Sequence, residues 1–237
     1  MRGPQSPGRA LGVFEAGGTV SGGRVAAVLA GGPVRADAHL KRALRRAELV
    51  VAADAGMALA ERLGIDVDLW VGDFDSASPV LQRRHTEVPR IIHPEDKDEL
   101  DLELAITAAT ERGATELILG GVFDGRLDQT LAALLIAARL REEGLRVRLY
   151  GGTHEARLLV AGDEAILDLP TGTLFSLLSL RGDARIDLRG VRFPLEDAPL
   201  PYGVGLGLSN RARDGAAVSV QAGTVAVIVE WGEEVST

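Results

Sequence analysis

Four short stretches of the chain carry residue types that can do chemistry together: Ala53-Asp54-Ala55-Gly56, Gly72-Asp73-Phe74-Asp75-Ser76, Lys97-Asp98-Glu99-Leu100-Asp101 and Gly125-Arg126-Leu127-Asp128-Gln129. Each falls where an apolar run ends or a helical pattern begins. In an open α/β sheet the carboxyl ends of the strands face one crevice, which is where ligands bind. Carboxylates converging there with one lysine and one arginine suit a divalent metal and a phosphorylated ligand.

Every stretch also has a plainer reading. Asp73-x-Asp75 follows Leu69-Trp70-Val71 and can aim two carboxylates at one cation, or it can be an Asp/Ser turn ahead of a helix that starts at Pro79. Asp98 and Asp101 are three apart and share one face of a helix read from 98 to 112; acidic residues in a first turn also answer the helix dipole. Gly120-Gly121 through Gln129 joins a strand to a helix, so backbone N–H groups and the helix N-terminus can meet an anion, with Arg126 as a two-point phosphate ligand. Asp54 can be a simple N-cap. Four such sites at strand ends are much less probable by accident than one.

The elements that must hold these residues follow from hydrophobic period and glycine punctuation. Strands are expected at 25–30, 49–53, 67–71, 90–92, 117–119 and 147–150, with helices at 37–47, 57–63, 79–85, 98–112 and 127–143 between them. That alternation predicts a mostly parallel, Rossmann-like sheet. After Gly151-Gly152 the rhythm changes to short strand candidates at 154–160, 164–169, 173–180, 185–188, 216–220 and 224–231, which reads as an all-β sandwich. The expected organisation is a flexible extension over 1–23, an α/β catalytic domain binding nucleotide and metal over 24–152, and a β-sandwich domain over 153–237.

Composition narrows the function. The 237 residues are 46% hydrophobic, which is ample for a core, and carry a formal net charge of −8. That charge argues against nucleic-acid binding, which needs basic surface. No apolar run is long enough to span a membrane. The absence of cysteine excludes disulfides and thiolate metal sites and suits the cytoplasm. No Gly-x-x-x-x-Gly-Lys-Ser/Thr is present, and no full Gly-x-Gly-x-x-Gly follows the first strand.

The ordered motifs resemble the thiamine pyrophosphokinase (thiamine diphosphokinase) family in its bacterial form. The family pattern is similar to Ala-Asp-Gly-Gly, Gly-Asp-Phe-Asp-Ser, Lys-Asp-x-Thr-Asp and Gly-Gly-Arg-x-Asp-His/Gln, here at 53–56, 72–76, 97–101 and 124–129. Gly190-Val191-Arg192-Phe193-Pro194-Leu195 and Gly207-Leu208-Ser209-Asn210 resemble later family motifs. The chain departs from the pattern at Ala55, Leu100, Asp124 and Arg211, which stand for glycine, threonine, glycine and glutamate.

The resemblance implies transfer of the pyrophosphoryl group of ATP to thiamine, with release of AMP. By the same resemblance Asp73, Asp75 and Asp101 bind Mg²⁺, and Asp54, Asp98 and Asp128 shape the acidic catalytic site. Lys97, Arg126 and Gln129 bind ATP phosphates, and Ser209 and Asn210 contact thiamine. A cytoplasmic homodimer is implied. Rival readings are a pyrophosphokinase for another alcohol such as a hydroxymethylpterin, a haloacid-dehalogenase-type phosphatase with Asp73 as nucleophile, and a non-catalytic thiamine- or nucleotide-sensing module.

Overall fold

A computed structural model describes residues 23–32, 38–96, 98–123 and 125–231. Lys97, Asp124 and nearly all of the expected extension over 1–23 lie outside the described residues. Six parallel strands form the first part of the sheet: β1 (Arg24–Leu29), β2 (Leu49–Ala53), β3 (Leu69–Gly72), β4 (Arg90–Ile92), β5 (Ala114–Gly120) and β6 (Arg146–Gly151). Their order is β6-β5-β1-β2-β3-β4, so the direction of progression reverses between β5 and β1. That reversal opens a crevice between the loops that leave those two strands.

β1 shows why the sheet is central. Ala26 and Val28 pack on one side against α4 (Asp101–Glu111) and α5 (Leu127–Glu142). Val25, Ala27 and Leu29 pack on the other against α1 (Ala38–Leu44) and α2 (Gly56–Leu63). Residues Ala26 to Leu29 are wholly buried, as a strand covered on both faces requires. α3 (Pro79–Arg84) closes a smaller core of Ala52, Met57, Trp70, Phe74, Ala77 and Leu81 below the loop that follows β3.

The sheet does not stop at Gly151-Gly152. β7 (His154–Val160) pairs antiparallel with β6, and β11 (Asn210–Glu230) pairs antiparallel with β7, so the sheet is mixed. β8 (Glu164–Ile166), β9 (Leu174–Val191), β10 (Leu195–Leu200) and β11 enclose a second core that includes Phe175, Leu177, Ile186, Leu188, Val218 and Val227. Residues 173–180 and 185–188, expected as two strands, are one strand of 18 residues, and 216–220 and 224–231 are parts of one of 21. Glycines near 182 and 223 read as turns, but there the chain bulges: the β9–β11 register shifts between Val220 and Thr224, and Gly223 has φ 83°. β10 was missed because prolines mark its sequence, and it is tolerated at the sheet edge. Among the described residues no helix is long and apolar enough to cross a membrane.

One boundary differs in a way that matters for the site. α4 begins at Asp101, not at 98, because Leu100 is extended (φ −71°, ψ 145°) as the N-cap. Asp98 is an exposed residue of the preceding bend, so Asp98 and Asp101 do not share a helix face. Leucine offers no acceptor to the first helical N–H groups, and only the return contact remains, Leu100 N–H to Glu103 Oε2 at 3.5 Å. Leu100→Thr is therefore expected to raise unfolding free energy by about 0.5–1 kcal/mol through a restored cap. Urea denaturation checks it, and a lower midpoint would contradict it.

Candidate active site at the carboxyl ends of the strands

Asp54 follows β2 directly. It is 6% exposed, and its backbone adopts φ 43°, the left-handed region that costs a non-glycine residue about 1–2 kcal/mol. The fold holds it there. Its N–H donates to the Val71 carbonyl at 2.8 Å, and its own carbonyl accepts from the buried Trp70 Nε1 at 2.8 Å. Ser76 Oγ donates to Asp54 Oδ2 in a short contact. Asp54 Oδ1 is buried and has no hydrogen-bond partner.

The loop after β3 is bound just as closely. Phe74, at φ 67°, buries its ring edge-on to Trp70 with centroids 4.9 Å apart. Gln82 on α3 donates to the carbonyls of Phe74 at 3.3 Å and Ala77 at 2.9 Å. Arg90 lies over the Trp70 ring, 4.8 Å from its centroid. A loop pinned at these points presents Asp73 and Asp75 in fixed directions. Strain at Asp54 and Phe74 falls within the same small region, where backbone strain commonly serves function.

Carboxylate oxygens of Asp54, Asp73 and Asp101 lie within 4.8 Å of one another. Three segments far apart in sequence thus bring their acids to one point. At an effective dielectric of about 20, each ionised pair at such a distance repels by roughly 3 kcal/mol. A divalent cation relieves that repulsion. Hard carboxylate oxygens suit Mg²⁺, whose octahedral ligands sit about 3–4 Å apart, close to the spacing here. The orphaned Asp54 Oδ1 supplies a donor with no other use. The residues therefore fit a divalent ion.

Asp75 lies beside this group without joining it. It is exposed, and its N–H donates to Asp73 Oδ1 at 3.1 Å. A hydrogen bond with the Asp73 side chain and that residue's charge hold the Asp75 carboxyl above its ordinary range.

Beside the acids is a cavity of about 240 Å³ at the β5–β1 reversal. Gly31 and Gly32 after β1, Gly121 and Phe123 after β5, Leu100, and Arg126, Gln129 and Thr130 at the start of α5 contribute to its wall, together with Asp54, Ser76 and Asp101. The two loops pair through backbone, Gly32 N–H to the Gly121 carbonyl at 3.1 Å. Gly121 has φ 77°, and a Cβ there would lie 2.4 Å from the Ala30 carbonyl, so only glycine fits. Thr130 Oγ1 donates to the Val122 carbonyl at 3.1 Å and ties the loop to α5.

Arg126 and Asp128 form an exposed two-point pair, Nε to Oδ1 at 3.2 Å and Nη2 to Oδ2 at 2.6 Å. The guanidinium holds the Asp128 carboxyl below its ordinary range, and Arg126 is held further protonated.

Of the residues singled out by sequence, the structure brings together Asp54, Asp73 and Asp101, and sets Arg126 and Gln129 in the adjoining cavity. Asp98 is exposed ahead of α4, and Asp128 is exposed against Arg126. Ser209 and Asn210 do not line the cavity. The Asn210 amide is occupied by backbone: Oδ1 accepts from Phe193 at 3.1 Å and Arg211 at 2.8 Å, and Nδ2 donates to the Phe193 carbonyl at 2.8 Å. Ser209 is exposed at φ 58°. Sequence reasoning missed Gly31, Gly32 and Thr130, and it gave Ser76 no role of its own within the Gly72–Ser76 stretch. The Gly31-Gly32 pair closing the first strand was a usable signal; Thr130 gave none.

Both the sequence and the fold are similar to those of known proteins. Residues 40–149 match the family model described as thiamin pyrophosphokinase, catalytic domain. The chain is 24% identical over 186 residues to the thiamine pyrophosphokinase of Bacillus subtilis, covering 77% of this chain and 87% of that protein. A crystal structure of thiamine pyrophosphokinase from B. subtilis superposes with a TM-score of 0.76 at 21% identity, over 88% of this chain and 100% of the other. A thiamin pyrophosphokinase family protein from Enterococcus faecalis gives 0.74 at 26% identity, over 89% and 100%. Candida albicans thiamin pyrophosphokinase gives 0.70 at 15%, over 87% and 90%. Motif order, matched segment and shared fold agree in one likeness: residues 40–149 match the catalytic domain of thiamin pyrophosphokinases, and the chain is similar to those enzymes over most of its length.

Proposed function

We propose that the chain transfers the pyrophosphoryl group of ATP to thiamine in a magnesium-dependent reaction, yielding thiamine diphosphate and AMP. The observation that carries this reading is the convergence of Asp54, Asp73 and Asp101 beside a glycine-walled cavity at the β5–β1 reversal.

Asp54, Asp73 and Asp101 hold Mg²⁺, with Asp75 adjacent on the same loop. Bound there, Mg²⁺ neutralises polyphosphate charge and keeps the transferred group in line. Arg126 and Gln129 bind phosphate oxygens from the start of α5, where backbone N–H groups add positive potential. Lys97 joins them by its place in the family motif. The thiamine hydroxyl oxygen bonds to the β-phosphorus, the bond from that phosphorus to the α,β-bridging oxygen breaks, and AMP leaves. A carboxylate of the acidic set accepts the hydroxyl proton. Asp98 and Asp128 shape the field around this site, and Asp128 also orients Arg126.

The reading assigns catalysis to residues 24–152 and thiamine recognition to 153–237. Ser209 presents its hydroxyl to thiamine, and Asn210 shapes that wall through the Phe193 backbone. Exposed Phe193, Tyr202, Val204, Leu206 and Leu208 surround this segment and support a homodimer in which they are covered. The expected compartment is the cytoplasm.

A panel of alcohol acceptors tests the substrate. Thiamine is expected to exceed hydroxymethylpterin in kcat/KM by about 100-fold or more, because a site that hydrogen-bonds one substrate rejects another that leaves its polar groups unpaired. Preference for the pterin would overturn the assignment.

A further inference from the structure

We propose that Ser76 is a positioning residue that fixes which oxygen of Asp54 is offered to a divalent cation. The inference rests on the metal-binding part of the reading above.

Ser76 connects two acidic segments. Its hydroxyl donates to Asp54 Oδ2, and it follows Asp75 directly in the loop after β3. The first contact spans 22 positions of sequence, from the loop after β3 to the end of β2. It leaves Asp54 Oδ1 buried and unpartnered, in a carboxylate that has an oxygen within 4.8 Å of ones from Asp73 and Asp101. A carboxylate rotates about its last side-chain bond through a broad well, so the backbone alone does not select between its two oxygens. The hydroxyl does. It occupies one oxygen, blocks two-oxygen binding by Asp54, and prepays the ordering of the other. Ligating carboxylates are commonly held in this way by an outer hydrogen bond, and removing such a partner weakens metal affinity. The cost of deleting Ser76 should therefore fall on cation binding and not on folding, since Ser76 is exposed and outside every core cluster.

The test titrates Mn²⁺ into the full chain by calorimetry, without nucleotide or thiamine, for wild type, Ser76→Ala and Ser76→Thr. Ser76→Ala is expected to raise the Mn²⁺ dissociation constant by about 10-fold or more, while Ser76→Thr, which keeps the hydroxyl, stays within about 2-fold of wild type. Thermal midpoints of the three proteins should coincide. Unchanged or tighter Mn²⁺ binding by Ser76→Ala overturns the proposal, as does failure of wild type to bind Mn²⁺. A contact that served folding alone would lower the Ser76→Ala midpoint and leave the dissociation constant in place, which also overturns it. Neither substrate is present, so a wild-type protein that makes no thiamine diphosphate would sink the proposed reaction without touching this result.

Discussion

Asp54→Asn is expected to lower kcat for thiamine diphosphate formation by about 10²–10³-fold, the loss that follows removal of one preorganised electrostatic group from a dry site. Asparagine is the informative replacement. Among non-glycine residues it is one of the few that tolerates the left-handed backbone required by φ 43° at this position. Its amide oxygen can still accept from Ser76. What changes is the other atom: an amide NH₂ replaces the buried Oδ1 and carries no lone pair for a cation. Alanine would instead mix loss of the ligand with backbone strain. Steady-state rates across a magnesium titration, with a thermal melt as control, separate the effects. A folded Asp54→Asn enzyme with wild-type kcat at saturating magnesium would show that Asp54 is not part of the metal site.

Gly56→Ala is expected to destabilise the protein by about 3 kcal/mol or more. The glycine opens α2 two residues after Asp54, and a Cβ built there would lie 1.8 Å from the Leu29 carbonyl oxygen and 2.6 Å from its carbon. Both atoms are backbone of β1, whose residues from Ala26 to Leu29 are wholly buried at the centre of the sheet. Neither a rotamer change nor a small loop shift relieves such a contact; α2 must move away from the sheet. For a chain of this size each kcal/mol is worth about 2–4 °C, so the thermal midpoint should fall by about 6–12 °C. Because the same movement displaces Asp54, kcat should drop as well. Differential scanning calorimetry decides the matter, and an unchanged midpoint would mean that the close approach of α2 to β1 is relieved at no cost.

Much of the site was legible because it obeys a rule of α/β topology. Asp54, Asp73 and the glycine loop before Arg126 each follow an apolar strand, and parallel strands with right-handed crossovers bring their carboxyl ends together. The membership of the acidic group was less legible. Asp75 belongs to the more conspicuous Asp-x-Asp, yet Asp54 joins the convergence because its left-handed backbone turns its carboxylate inward. Nothing in the residues near 54 declares that conformation; it is imposed by Val71, Trp70 and Ser76 from another strand and its loop. Asp98 misled for a local reason: three acids within four positions resemble a first helical turn, but extended Leu100 delays the helix to Asp101. In the β-rich half, alternation located the strands, while bulges near glycine concealed that pairs of them are continuous. Asn210 was expected to contact thiamine through its resemblance to a family motif; what the sequence did not declare is that its buried amide is hydrogen-bonded to the Phe193 and Arg211 backbone.

The central claim is a pyrophosphoryl transfer at the acidic convergence, and product stoichiometry tests it most directly. Purified protein would be incubated with ATP, Mg²⁺ and thiamine, and nucleotides and thiamine esters resolved by chromatography. The account predicts AMP and thiamine diphosphate in equal amounts, with AMP release dependent on thiamine. ADP with thiamine monophosphate would contradict it, placing attack at the γ- instead of the β-phosphorus.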